Sequence, residues 1–401
     1  MDHLKTTKDR QKRWYAKHVQ PRFVDPQPYS IPFSNLTESR SELDDLLHKN
    51  GFVIISNALT LEECNYALSL AMDYVHAASF AEQSLRRSNS TDESSKDKLC
   101  SKKSPSSSLF PVTVEGGILP FYGSGHSTFM WYLRTHDNIK KIFSTVHNVP
   151  PDELLTSLDG MIVWSESNYP IDAGWFHVDQ NPLNKPNFSS FQGLINLINC
   201  SEHTGGNVLV ARSHHLFPHN YIIDHNKYPS DVATFYETRL QEINGDDWLE
   251  IDPNDRTILG NPENIICCLL QAGDVLLWDS RVVHCSHPPS RQHTKENKKH
   301  NDNNEANTNE CTLIRGAGLI NMIPSSNVNF MTKQSRVEAT KSLRTLTHWV
   351  NKASGLGDEK VEDVKKEKAR IHLIKLWEQT NKKQVLLSYN DLDLNQKQMI
   401  K

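Results

Sequence analysis

Between residues 158 and 323 the sequence is a train of about eight short apolar segments, each closed by Gly, Asn, Pro or Ser. In order they are "LDGMIVWS", "GWFHVDQ", "FQGLINLIN", "GGNVLVA", "NIICCLL", "DVLLWD", "RVVHC" and "TLIRGAGLINMI". Runs this short, rich in Val and Ile and punctuated by turn residues, read as β-strands. Their number and spacing suit two packed sheets, a β-sandwich or jelly roll. Residues 229–250 interrupt the series with a helical pattern. The expected class is therefore mainly β with flanking helices (α+β).

Ahead of the strands, residues 41–58, "SELDDLLHKNGFVIISNA", predict a helix, a turn at Asn50-Gly51 and the strand "FVII". Thr60 and Glu63 form a possible capping box. Behind them Leu61, Cys64, Leu68, Ala71, Met72 and Val75 follow helical spacing, as a scaffold helix would. Residues 86–108 and 290–310 are polar stretches that cannot bury a core, and both read as insertions. From Gln334 to Leu387 the pattern is helical and mildly basic. The expected organisation is an extension over 1–40, a β domain over 41–325 carrying the two insertions, and a helical segment over 326–401 packed on the core.

Composition narrows the function classes. Hydrophobic residues are 37% of the 401 and charged residues 23%, which suits a globular chain. A net charge of −4 argues against nucleic acid or an anionic membrane as partner. The seven Cys are scattered without a Cys-x-x-Cys, as expected of reduced thiols rather than a disulfide framework or zinc site. With no apolar leader at the N-terminus and no run of 18 apolar residues, the expectation is a cytoplasmic protein. Oligomeric state is not legible.

The chemistry concentrates in "AGWFHVDQNP", residues 173–182. In a strand, side chains at i and i+2 share a face, so His177 and Asp179 project together. Alone, a His-x-Asp is weak evidence. A third ligand is available in "AGDVLLWDSRVVHCSHP", where His284 ends a short strand; His287, just before two prolines, is the lesser alternative. Two His and a carboxylate suit Fe(II) and leave three coordination positions open. A 2-oxo acid would fill two of them, and its far carboxylate needs a cation. Arg315 lies in an apolar strand, where a guanidinium is costly unless an anion meets it. Arg281 adjoins Asp279, its expected partner, and Arg291 opens the second insertion. Asn196 alternates with the apolar residues of "LINLIN" and is a candidate co-substrate contact. Gln180 is expected to make a structural hydrogen bond, and Trp175 and Trp278 to belong to the core. His214 and His215 read as the exposed end of a strand.

In combination, "GWFHVDQ", "FQGLINLINCSEHTGGNVLVARSHH", "AGDVLLWDSRVVHCSHP" and "LIRGAGLINM" resemble the phytanoyl-CoA dioxygenase family, as does the opening "LHKNGFVIISNALTLEECNYAL". The resemblance covers residues 43–325 outside the insertions. It implies a double-stranded β-helix (jelly-roll, cupin-like) core and an Fe(II)- and 2-oxoglutarate-dependent dioxygenase that uses O₂ to hydroxylate a small organic or acyl substrate. It implies His177, Asp179 and His284 as iron ligands, Arg315 and Ser286 on the far carboxylate of 2-oxoglutarate, and Met161 in the co-substrate pocket. One departure is the gap of 31 residues from His284 to Arg315, where the family has about a dozen; the second insertion accounts for the excess if it loops out, and otherwise Arg291 returns as the candidate. Retention of Asp179 disfavours a halogenase. Two other classes remain open: a catalytically silent β-helix that binds a small molecule or partner, and a cupin-type metalloenzyme without 2-oxoglutarate.

Overall fold

The computed structural model describes residues 21–89, 111, 117–165, 175–219, 221, 229–243, 247–289, 313–353 and 361–401. The chain divides into two compact units, residues 1–58 with 170–304, and residues 59–169 with 305–401. The class is mixed α and β. No helix among the described residues is long and apolar enough to cross a membrane.

Among the described residues the first unit contains ten strands: β1 (Arg22–Val24), β2 (Ser30–Pro32), β3 (Phe52–Ser56), β7 (His177–Val178), β8 (Phe191–Asn196), β9 (Gly206–Val210), β10 (Leu249–Glu250), β11 (Ile265–Cys268), β12 (Val275–Asp279) and β13 (His284–His287). One sheet runs β1-β11-β9-β13-β7-β10, and β2-β3-β12-β8 lie side by side in another. The segment expected only as an extension thus supplies β1 and β2, each of which pairs in parallel with a later strand, Arg22 beside Ile266 and Ser30 beside Ile54. The strand expected over 281–285 begins instead at His284. Arg281 is clamped to Asp279 by two hydrogen bonds of 2.9 and 2.6 Å, and Val282 N–H returns to Asp279 C=O, so 279–282 is a turn.

Alternation gives the six-stranded sheet two unlike faces. Phe176, Val178, Val208, Val210, Val283 and Cys285 lie on one face, fully or nearly fully buried. Val232 and Tyr236 of the helix Ser230–Glu242 join the same apolar cluster. Burying a side chain of this size contributes roughly 1.5–3 kcal/mol each, and that sum holds the strands in register. The intervening residues, His177, Leu209, His284 and Ser286, therefore occupy the other face.

The helix Arg40–Asn50 ends at Gly51, which has φ +84°. A Cβ there would collide with Val282 and with the His214 ring, so both backbone angle and space call for glycine. His214 is not the exposed strand end expected from sequence. It is buried in the turn Ser213–Leu216, and its Nε2 donates to His48 C=O at 2.9 Å, capping a terminal carbonyl of that helix.

The second unit contains β4 (Ile118–Leu119), β5 (Leu154–Thr156), β6 (Met161–Ser165), β14 (Leu313–Ile320) and β15 (Met322–Pro324), with β6 between β14 and β4, and β15 paired to β5. Its helices include Leu61–Asn89, Phe330–Lys341 and Val361–Asn381, the last two within the stretch expected to be helical. The capping box is present: Thr60 N–H donates to Glu63 at 2.7 Å and Glu63 N–H to Thr60 Oγ1 at 3.2 Å. The helix Leu61–Asn89 runs past residue 86, so the start expected for the first insertion is helical. The remainder of that insertion and all of the second, with Arg291, lie outside the described residues.

His126 in this unit is fully buried, and its Nε2 lies 2.8 Å from the Arg344 carbonyl, to which it donates. Its Nδ1 is buried without a partner among the described residues. Burial, seconded by the nearby Arg134 and Arg336 cations, pushes its pKa from 6.5 down to about 3. The unfolded chain therefore takes up this proton near pH 6.5 and the folded chain only near pH 3. Stability from His126 is complete above pH 6.5 and is lost as the pH falls toward 3. Between pH 7 and pH 5 the expected loss is about 2 kcal/mol. Urea unfolding at the two pH values should show this loss, and His126→Gln should shrink the difference by about that amount.

Candidate metal centre

His177 opens β7 and stands directly opposite His284, the first residue of β13. Their rings are 4.4 Å apart. Asp179 follows two residues after His177, on the same face. The three side chains offer ligand atoms that all lie within 4.8 Å of one another. Asp179 Oδ1 is 3.5 Å from His177 Nε2, and Oδ2 is 3.2 Å from His284 Nε2. Side-chain exposures of 16, 18 and 8% for His177, Asp179 and His284 leave the cluster reachable but mostly dry.

The imidazoles are oriented by backbone. His177 Nδ1 is 2.8 Å from Trp175 C=O, and His284 Nδ1 is 2.9 Å from Val282 C=O. A carbonyl only accepts, so each Nδ1 carries the proton and each Nε2 presents a lone pair. Two lone pairs and a carboxylate then converge on one point. That arrangement repels itself unless a cation, or a proton on one ring, sits among them. Anchoring of Nδ1 by a carbonyl is how metal-binding imidazoles are commonly held. The donor set, nitrogen, nitrogen and oxygen, fits a divalent transition metal with open positions.

Three neighbours that the sequence did not single out for this purpose complete the setting. Trp175 stacks on His177 at 4.1 Å and 19°, so the ring cannot swing that way. Trp278 lies 5.4 Å from His284. Both indoles expected to be core residues therefore wall the site. Gln192 on β8 donates from Nε2 to Asp179 Oδ2 at 2.9 Å, which restricts rotation of the carboxylate. A buried amide at one position of an apolar strand was the only signal for Gln192, and it does not say what the amide touches.

The other candidates divide. Ser286 is half-buried on the same face of β13 as His284. Asn196 Nδ2 donates to the carbonyls of Ile198, Leu270 and Gln271 at 2.9, 3.4 and 3.0 Å. Gln180 is structural, as expected, with Oε1 accepting from Ser280 at 2.7 Å and Nε2 donating to the carbonyls of Asn187 and Lys185. The His287 ring packs edge-on to Phe23 at 5.4 Å, away from the triad. In the second unit, Met161 is fully buried on β6. Arg315 on β14 is 2% exposed, and its guanidinium lies over the Trp164 ring at 4.4 Å. A cation over an indole face at this distance is a cation–π contact.

No protein-family model matches the sequence. The chain is 25% identical over 248 residues to Ava biosynthesis cluster protein O of Aspergillus versicolor, spanning 60% of this chain and 70% of that protein. Among solved structures it resembles a hypothetical protein, JW0805, from Escherichia coli, with a TM-score of 0.53 at 13% identity over 100% of this chain and 90% of the other. That likeness extends to the fold alone. A looser superposition is with the epimerase SnoN, whose crystal holds Fe3+, alpha ketoglutarate and nogalamycin RO: TM-score 0.38, 16% identity, 72% of this chain and 86% of that one. At that score it carries no weight for this chain.

Proposed function

We propose that the chain is a non-haem Fe(II)- and 2-oxoglutarate-dependent oxygenase of the phytanoyl-CoA dioxygenase type, built on a double-stranded β-helix and hydroxylating a small organic or acyl substrate. The observation that carries this reading is the pair of Nδ1-anchored imidazoles facing Asp179. A 2-His-1-carboxylate face with open positions is the ligand set of non-haem Fe(II) oxygenases. Zinc sites of similar composition exist, with three protein ligands and one water, but have less use for a chelating co-substrate. The relative's place in a biosynthesis cluster accords with a small organic substrate.

When bound, the iron supplies O₂ activation coupled to oxidative decarboxylation of 2-oxoglutarate, which yields succinate, CO₂ and one oxygen atom for a substrate C–H bond. The protein's own part is positional. His177, Asp179 and His284 would hold the metal and leave coordination positions free for the co-substrate and O₂. Gln192 and Trp175 hold two of those three ligands against rotation. Ser286 contributes a hydroxyl toward the far carboxylate of the co-substrate. Arg315 is proposed as the cation for that carboxylate, since its guanidinium offers the two-pronged donor set a carboxylate takes. Met161 is proposed to line the co-substrate pocket.

The test is release of succinate from 2-oxoglutarate by the iron-loaded protein in air. Succinate formation that requires Fe(II) and is lost in Asp179→Ala supports the reading. A protein that binds metal but never consumes 2-oxoglutarate favours the cupin-type alternative, and one that binds neither favours the silent module.

A further inference from the structure

The strand β9 carries a buried amide that none of the roles above uses. Asn207 is 9% exposed, and its Nδ2 is buried without a hydrogen-bond partner among the described residues. Buried donors in folded proteins are almost always satisfied, so this one calls for an acceptor. Its position is set by the strand register. Val208 and Val210 face the apolar cluster under the helix Ser230–Glu242. Asn207 and Leu209 therefore face the other way, toward the side that bears the metal ligands. Leu209 stands opposite His284, and Asn207 stands opposite Ser286.

We propose that Asn207 donates its side-chain N–H to the distal carboxylate of a five-carbon 2-oxo dicarboxylic acid whose other end reaches the metal ligands. This rests on the oxygenase reading above. Two residues of strand separate the Asn207–Ser286 pair from the Leu209–His284 pair, a rise of about 7 Å. A five-carbon chain with oxygens at both ends has a comparable reach. Asn207 presents a donor and Ser286 a hydroxyl, side by side on neighbouring strands. A carboxylate oxygen is acceptor only, and it satisfies the Asn207 donor beside that hydroxyl. Asn207 thereby selects for the length and the second acid group of the co-substrate, and it does not touch the reacting keto acid.

The experiment measures equilibrium binding of two oxo acids to the Co(II)-loaded protein without O₂. 2-Oxoglutarate carries the distal carboxylate; 2-oxobutyrate chelates in the same way and lacks it. Asn207→Leu should weaken 2-oxoglutarate binding about tenfold, as loss of one hydrogen bond to a charged group does. Asn207→Asp places a carboxylate against a carboxylate and should weaken it about 100-fold or more. In both variants the affinities for Co(II) and for 2-oxobutyrate should stay within about twofold of wild type. Thermal melts confirm that each variant is folded, and either variant alone suffices. Unchanged 2-oxoglutarate affinity, or an equal loss for both oxo acids, overturns the assignment of Asn207 and leaves the oxygenase reading standing. Wild-type protein that binds no 2-oxoglutarate overturns both.

Discussion

His284→Ala should bind Fe(II) or Co(II) more than about 100-fold less tightly than wild type. Losing only a hydrogen-bond partner of a ligand already costs 10–100-fold, and here a ligand itself is removed. The same is expected of His177→Ala. Folding should survive, because the register of β13 is held by Val283 and Cys285 on the opposite face, both buried in the apolar cluster. Metal-free stability should fall by no more than about 1–3 kcal/mol, the usual cost of disturbing a buried polar group. It falls less if relief of the crowding of His284 Nε2 on Asp179 compensates. The check is a thermal melt with and without Co(II). Wild type should gain stability as RT ln(1 + [L]/Kd) requires, and neither variant should respond. A variant that still rises with metal would show that the ligands lie elsewhere.

Glu250→Ala should destabilise the first unit by about 3–5 kcal/mol, the cost of leaving one partner of a buried ion pair alone. Glu250 is fully buried on β10, and Arg239 of the helix Ser230–Glu242 is nearly so. They meet through Nη2 and Oε2 at 2.9 Å, while Arg239 Nη1 reaches the more exposed Glu242 at 2.8 Å. Removing Glu250 leaves the buried Nη2 side of the guanidinium without its carboxylate, and only the more exposed Glu242 still meets Arg239. The effect also bears on the metal, because Glu250 pairs with His177 across β10 and β7. β7 has only two residues, so its neighbours supply most of its order. Urea unfolding followed at the metal-free unit measures the loss. The double variant Arg239→Met, Glu250→Leu should recover much of it, since a well-packed apolar pair can replace a buried ion pair at little or no cost. A single variant within about 1 kcal/mol of wild type would mean that Glu242 and solvent compensate fully.

Much of this arrangement was readable from local pattern. Short apolar runs closed by turn residues exposed β9, β12 and β14. A strand's period of two placed His177 and Asp179 on one face, since Phe176 and Val178 between and beside them had to go inward. Pattern does not encode which strand lies beside which. The three-residue strands β1 and β2 carry too little sequence to signal a period, and they exist because β11 and β3 offer them edges. The contact from Gln192 to Asp179 joins two sheets, and the Nδ1 anchors depend on backbone carbonyls that every residue possesses. For Asn196, likewise, alternation gave its side of the strand but not the loop carbonyls of Leu270 and Gln271 that its amide meets.

The most direct test of the central claim is an anaerobic titration of the protein, first with Fe(II) and then with 2-oxoglutarate, followed in the visible range. Bidentate chelation of a protein-held Fe(II) by a 2-oxo acid produces a weak metal-to-ligand charge-transfer band. The expected result is that band, saturating at one 2-oxoglutarate per chain and absent in His177→Ala, Asp179→Ala and His284→Ala. Fe(II) binding without the band in wild type, or a band of full intensity in any of the three variants, would contradict the assignment of this site.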